Sequence, residues 1–406
     1  MIEETEKLKS AVESKAEHLA DRLVPYTLAG TALTYALTRN VTKALSILMV
    51  DFSCALKLAM PISVLAAIRE ANAHHITVKG GKFLEAVAEA DTIVFDKTGT
   101  LTNAEPVLEK VIPFGAYTES EVLKTAACLE EHFPHSVARA IVKGAAEQNL
   151  HHEEEHAEVQ YIVAHGIATT LHGERAIIGS KHFVAEDEGI VITPEQQAEI
   201  DAKSGACSVI YLAIGSELAG VLCIADPPRA EAKQAITMLR DAGISNLVML
   251  TGDSEQAASR TAEMLGITQY HAQVLPEDKH RYVEELKAEG KRVIMVGDGI
   301  NDAPALAAAN VSVAMSDASD IAREAADITL RGANLTELAT LRKLSERLMK
   351  RIHSNYRFIL GFNSTLLLLG LLSVLPPATS AFLHNASTMA ICAKSCLLYT
   401  SDAADD

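Results

Sequence analysis

The sequence predicts an α/β protein: a parallel-sheet domain with a second α/β lobe inserted into it, flanked by apolar helices. Three observations predict this. Thr92–Phe95, Asn246–Leu250 and Arg292–Val296 are short apolar runs, each followed at once by an Asp- or Gly-bearing turn, as central parallel strands with chemistry at their carboxyl ends would be. About 150 residues separate the first run from the second, far more than one crossover needs. Apolar residues also gather at the two ends, in Leu23–Leu37, Ala44–Ile68 and Phe358–Leu375.

Taken in order, Met1–Lys15 is charged, has no apolar core and reads as a surface helix rather than a cleavable signal. Ala44–Ile68 is long enough to cross a hydrocarbon core of about 30 Å, and Leu23–Leu37 is at the short limit. A buried helix hairpin is the alternative. The insert, about Glu105 to Ala219, holds a helical segment at Glu121–Gln148 and strands at Tyr161–Val163, Ala176–Ile178 and Val209–Ile214. Its run His151–His156 reads as a solvated loop before it reads as a metal site. Arg342, Lys343, Arg347, Lys350, Arg351 and Arg357 crowd the approach to the Phe358 segment and mark that side as cytoplasmic. The residues expected to form each part are 16–70 for a membrane helix pair, 71–104 with 220–340 for the parallel-sheet domain, 105–219 for the insert and 341–395 for further membrane helices. The tail from 396 to 406 turns acidic, looks like a translated sequencing adapter and is set apart from fold reasoning.

A net charge of −17 argues against nucleic acid, whose phosphates need a basic surface. Six scattered cysteines without a CxxC pair suggest a reducing compartment.

The chemistry begins at Asp96-Lys97-Thr98-Gly99-Thr100-Leu101-Thr102, directly after a strand. A carboxylate there can attack a γ-phosphate in line and form an acyl phosphate, splitting one hard hydrolysis into two steps. Lys97 and Thr98 add charge and donors, and Gly99 permits a sharp turn. Thr251-Gly252-Asp253 and Gly297-Asp298-Gly299-Ile300-Asn301-Asp302 follow their own strands. Thr251 and Gly252 can donate to phosphoryl oxygens, Lys279 can neutralise them, and Asp298 offers the hard oxygen that Mg²⁺ prefers.

These motifs closely resemble the phosphorylation domain of P-type ATPases, built on a haloacid-dehalogenase-like core. The resemblance covers about residues 16–395. It implies phosphorylation of Asp96 by ATP, Mg²⁺ held by Asp96, Thr98 and Asp298 with Asp302 and Asn301 nearby, and a phosphoryl group held by Thr251 and Lys279. Asp226-Pro227-Pro228-Arg229 matches the family's hinge.

The short insert resembles the nucleotide-binding domain of the heavy-metal branch, where His135 would keep the adenine side and Gly166 and Gly179 would match the family's glycine motifs. The branch's Cys-Pro-Cys membrane motif aligns with Asp51-Phe52-Ser53-Cys54. Asp51, Ser53 and Cys54 make a mixed oxygen and sulfur set suited to zinc, cadmium, cobalt or manganese rather than copper(I). Lys57 reads either as part of transport or as a charge paired with a carboxylate; Asn363 and His384-Asn385 are weaker candidates for the ion path. The resemblance implies a multi-pass plasma-membrane exporter of a divalent metal, with the lipid bilayer as partner and its catalytic domains in the cytoplasm. No Thr-Gly-Glu actuator loop precedes Asp96, and His172-Gly173-Glu174 is a poor substitute, so the chain is expected to be part of a pump. Competing readings are a potassium- or calcium-type pump, a non-catalytic nucleotide-binding fragment, and a soluble phosphohydrolase; the last would want an acid where Thr98 stands.

Overall fold

The computed structural model describes residues 9–401 apart from 51, 104, 132–134, 151–159, 163–165, 172, 206, 299–301, 317 and 319. The His151–His156 run lies outside the described residues.

A seven-stranded sheet forms the centre. Its order is β1 (Ile76–Val78), β13 (Ile328–Leu330), β12 (Val311–Met315), β11 (Val293–Gly297), β2 (Thr92–Asp96), β9 (Asn246–Leu250) and β10 (Gln269–His271). All neighbours are parallel except the β1–β13 edge pair. The middle strands are apolar at nearly every position because helices cover both faces. Alternate residues serve opposite cores: Ile93, Phe95, Leu247, Met249, Ile294 and Val296 face one, while Val94, Val248, Leu250, Val293 and Met295 face the other. The covering helices are α4 (Gly81–Glu89), α8 (Ala232–Asp241), α9 (Glu255–Leu265), α10 (Lys279–Ala288), α11 (Ala303–Ala308) and α12 (Asp320–Ala325).

Between β2 and β9 the chain leaves to build a second, antiparallel sheet. Its order is β3 (Val107–Pro113), β8 (Glu217–Ala225), β7 (Ser208–Ile214), β6 (Glu174–Gly179), β5 (Gly166–Leu171) and β4 (Gln160–Ile162). Helices α5 (Glu119–Glu130) and α6 (Ser136–Glu147) lie over the face that presents Ala176 and Ile178, while Ile177 points into a second core with Ile200 of α7 (Pro194–Lys203). The helical stretch Glu121–Gln148 thus divides in two. Thr118 and Glu121 close a capping box at the start of α5, and His135 caps α6. Strand β8 stays paired in this sheet to Ala225, past Ala219.

The apolar ends form a helical group: α1 (Ala11–Thr38), α2 (Val41–Leu48), α3 (Phe52–Ala73), α13 (Thr336–Leu371) and α14 (Pro377–Ser401), with α3 against α1, α13 and α14. The sequence predicts transmembrane helices at both ends; among the described residues no helix is long and apolar enough to cross a membrane. Ala44–Ile68 does not form one span, because α2 ends at Leu48 and α3 starts at Phe52. The Phe358 segment is the second half of α13, whose first half is charged, and it stops at Leu371. Polar groups are shared inside the group instead: Ser63 meets Ser395 at 3.1 Å, Asn355 donates to Ser395 at 3.0 Å, and Asn363 meets His384 at 3.1 Å, all buried.

Candidate phosphoryl-transfer site

Parallel pairing of β11, β2 and β9 brings their carboxyl ends to one edge, so the residues that follow each strand converge there. Asp96 ends β2 and is buried. The chain then turns through Lys97–Leu101, with Gly99 at φ +74°. A Cβ on Gly99 would stand 1.5 Å from Asp298 Oδ2, so both the backbone angle and the close approach require glycine. Arg229, itself buried, braces the turn by donating to the carbonyls of Gly99 at 3.0 Å and Thr100 at 2.9 Å, and ties it to Ala333 at 3.0 Å. Thr102 Oγ1 donates to Asp226 at 2.8 Å.

Asp96, Asp298 and Asp302 each bring a carboxylate oxygen within 4.8 Å of the others. Lys279, at the start of α10, donates to Asp96 Oδ1 at 2.6 Å and to Asp302 Oδ1 at 2.7 Å. Burial first, then the neighbouring Asp302 and Asp298, push the Asp96 carboxyl up to about 7 against the opposing pull of Lys279. Burial works against the charge on Lys279, but the two carboxylates outweigh it and raise its ammonium. A set of crowded carboxylate oxygens suits a hard divalent cation such as Mg²⁺.

Lys97 is buried and ion-paired with Asp253, with Asp226 at 3.8 Å. It links the turn after β2 to the turn after β9 and to the hinge. Thr251 is buried, and its Oγ1 accepts the N–H of Asp253 at 3.1 Å; Gly252 beside it is exposed. Asn301 lies outside the described residues, as do Gly299 and Ile300. A cleft of about 160 Å³ opens beside Lys97, Thr98, Asp226 and Asp253 and is closed on the lobe side by Ser136 and Val137.

In the lobe, His135 Nδ1 accepts the N–H of Ala138 at 3.1 Å and Nε2 faces Glu130 at 3.1 Å. A ring nitrogen that accepts from a backbone N–H carries no proton, so Nε2, 3.1 Å from Glu130, holds it. Burial, helped by Arg139, lowers the His135 pKa, and burial pushes Glu130 up to about 7. Sequence reasoning missed Glu130; its signal is an acid at the buried end of a helix, one short turn before His135. Gly166 and Gly179 are register partners at the open end of the β5–β6 hairpin. A Cβ at Gly166 would meet the Ile178 carbonyl at 2.4 Å and Phe183 at 2.5 Å, so close packing alone explains that glycine. His172 is outside the described residues, Gly173 lies in the β5–β6 turn at φ +89°, and Glu174 opens β6.

Of the metal motif, Cys54 is exposed on α3; Asp51 and the side chain of Ser53 lie outside the described residues. Lys57 is paired with Asp21 of α1 at 2.5 Å, which is the carboxylate alternative raised for it.

The haloacid dehalogenase-like hydrolase family matches residues 90–310, more than half of the chain. The chain belongs to that family. Over 97% of its length it is also homologous to metal-exporting P-type ATPases: it is 36% identical to a zinc-exporting P-type ATPase of Mycobacterium marinum, covering 54% of that protein. It is equally 36% identical, again over 97% of its length, to a manganese-exporting P-type ATPase of Mycobacterium bovis, covering 55% of it. A crystal structure of a zinc-transporting PIB-type ATPase in its E2·Pi state superposes on 96% of the chain and 66% of that structure, with a TM-score of 0.78 and 28% identity. The chain thus spans about half the length of the curated relatives it matches.

Proposed function

We propose that this haloacid dehalogenase-like, P-type-ATPase-related chain is the catalytic part of an ATP-driven exporter of a divalent transition metal, working through an aspartyl phosphate on Asp96. One observation carries the reading: Asp96 sits at the end of a central strand, bridged by Lys279 to Asp302 and crowded by Asp298. Asp96 supplies the nucleophile. Lys279 holds its carboxylate and is placed to meet the incoming phosphoryl oxygens, and the Thr251 hydroxyl can donate to them. Mg²⁺ held by Asp96, Asp298 and Asp302 would offset the charge of these acids and of the phosphate. The 2.6 Å contact of Lys279 with Asp96 keeps the nucleophile fixed and its charge compensated before substrate arrives.

The nucleotide enters from the lobe. His135 and Glu130 form a polar pair at its helix ends, and the cleft lined by Ser136, Val137, Lys97 and Thr98 joins the lobe to Asp96.

We place the helical group in a bilayer. Leu33, Leu37, Leu65, Leu368, Phe382 and Met389 are exposed large apolar side chains on it, which a surface facing water would not gather. Between the helices His384 Nδ1 and Asn363 Oδ1 meet at 3.1 Å, the kind of contact that joins helices in a bilayer. The divalent cargo is inferred from Cys54 on α3, a sulfur ligand without the second cysteine that copper(I) favours, and zinc and manganese are the cargoes named for the two relatives described above.

The rival is a phosphohydrolase of small phosphate esters. Incubating the chain with ATP and with an aryl phosphate separates the two. A stable phosphoenzyme from ATP with little aryl phosphate turnover supports the pump; fast aryl phosphate turnover with no phosphoenzyme rejects it.

A further inference from the structure

Glu346, Lys350, His353 and Arg357 recur at spacings that place them on one face of α13. With Met349 and Ala88 at the end of α4 they wall a pocket of about 560 Å³. The carboxylate of Glu346 is committed to Arg342 at 3.0 Å. Arg342 also donates to the carbonyls of Ala242 and Val87, tying α13 to the ends of α8 and α4. The pocket therefore presents uncompensated positive charge: Lys350 and Arg357 are exposed, and among the described residues neither has an ion-pair partner. On a chain whose net charge is −17, that is an exception. The apolar surface starts at the next residue, Phe358, which is 50% exposed and stacked on Phe362 with ring centres 5.4 Å apart.

We propose that this pocket holds the phosphate headgroup of an anionic phospholipid, whose acyl chains lie on the apolar surface beginning at Phe358. The inference rests on the bilayer placement above. Two features commit it to lipid rather than to a soluble anion. The cations stand at the boundary between the charged and apolar halves of one helix, where the headgroup layer would lie. A soluble phosphate would also gain nothing from the adjoining apolar face. Because α13 runs unbroken from the sheet domain into the helical group, a lipid held at Lys350 and Arg357 would fix the helix that joins the phosphorylation site to the bundle.

The chain contains no tryptophan, so Phe358→Trp makes a single reporter beside the pocket. The full chain is reconstituted in phosphatidylcholine vesicles containing a minor fraction of brominated phosphatidylglycerol or of brominated phosphatidylcholine. The expected result is stronger quenching by the anionic lipid, with a local enrichment of about thirtyfold for two headgroup-facing cations. Adding Lys350→Gln and Arg357→Gln removes the preference while quenching by brominated phosphatidylcholine persists. Equal quenching by both lipids in the parent overturns the proposal. Reversal of the preference by inorganic phosphate would show a free-phosphate site and reject the lipid. Absence of quenching by either lipid would sink the bilayer placement, and this inference with it.

Discussion

Lys279 reaches Asp96 at 2.6 Å, and the same ammonium reaches Asp302 at 2.7 Å. One cation thus compensates two buried acids, one ending β2 and one capping α11, and with Asp298 they form one electrostatic unit. Removing it leaves buried charge without a partner. Lys279→Met should destabilise the chain by about 3 kcal/mol, the range for breaking a buried pair. Adding Asp96→Asn should recover part of that loss. Urea unfolding of the single and double variants checks both; additive losses would show that the pair is not coupled.

Gly99 and Gly173 both have positive φ, at +74° and +89°, but a Cβ at Gly99 meets Asp298 whereas one at Gly173 meets open space. Gly173→Ala should cost only about 1 kcal/mol, from backbone strain alone. Gly99→Ala should displace Asp298 and lower Mg²⁺-dependent phosphorylation by about a hundredfold, as misplacement in an active site does. Thermal melting and phosphoenzyme yield report the two effects separately.

Arg229 uses a planar fork to hold two carbonyls of the turn after Asp96. Lysine keeps the charge and loses that geometry. Arg229→Lys should lower the rate of phosphoenzyme formation by about tenfold or more with nucleotide affinity unchanged. A matching fall in nucleotide affinity would place the role of Arg229 in the lobe instead.

Glu130 is buried, and burial raises its carboxyl to about 7 from 4.5. The folded state therefore holds this proton more tightly than the unfolded state. Its contribution to stability is complete below the unfolded value and is lost as pH rises through about 7. Wild type should lose stability between pH 4.5 and 8 relative to Glu130→Gln, by at most about 3 kcal/mol. Urea midpoints of the two proteins across that range measure the difference; parallel curves would contradict it.

The centre of the fold was legible in sequence because a strand buried on both faces is a continuous apolar run. The strands at Thr92, Asn246 and Arg292 all read that way, and the acids that follow them stand where parallel pairing brings them together. What was not legible depends on contacts between distant residues or on local breaks. The fork from Arg229 to the Gly99 turn spans 130 residues of chain, and the Lys57–Asp21 pair joins two helices. Glu130 is buried beside His135 only because the helical stretch divides into α5 and α6 between them. The apolar run Ala44–Ile68 gave no sign of the break after Leu48, since hydropathy averages over a turn of so few residues. The boundary expected at about Ala219 falls inside β8, whose pairing with β3 and β7 runs as far as Ala225.

The central claim is that Asp96 is the residue phosphorylated by ATP. Incubation of the chain with γ-labelled ATP and Mg²⁺, followed by acid quench, tests it most directly. The account predicts a label that survives acid, is released by hydroxylamine and is absent from folded Asp96→Asn. A label of equal strength in Asp96→Asn would contradict it.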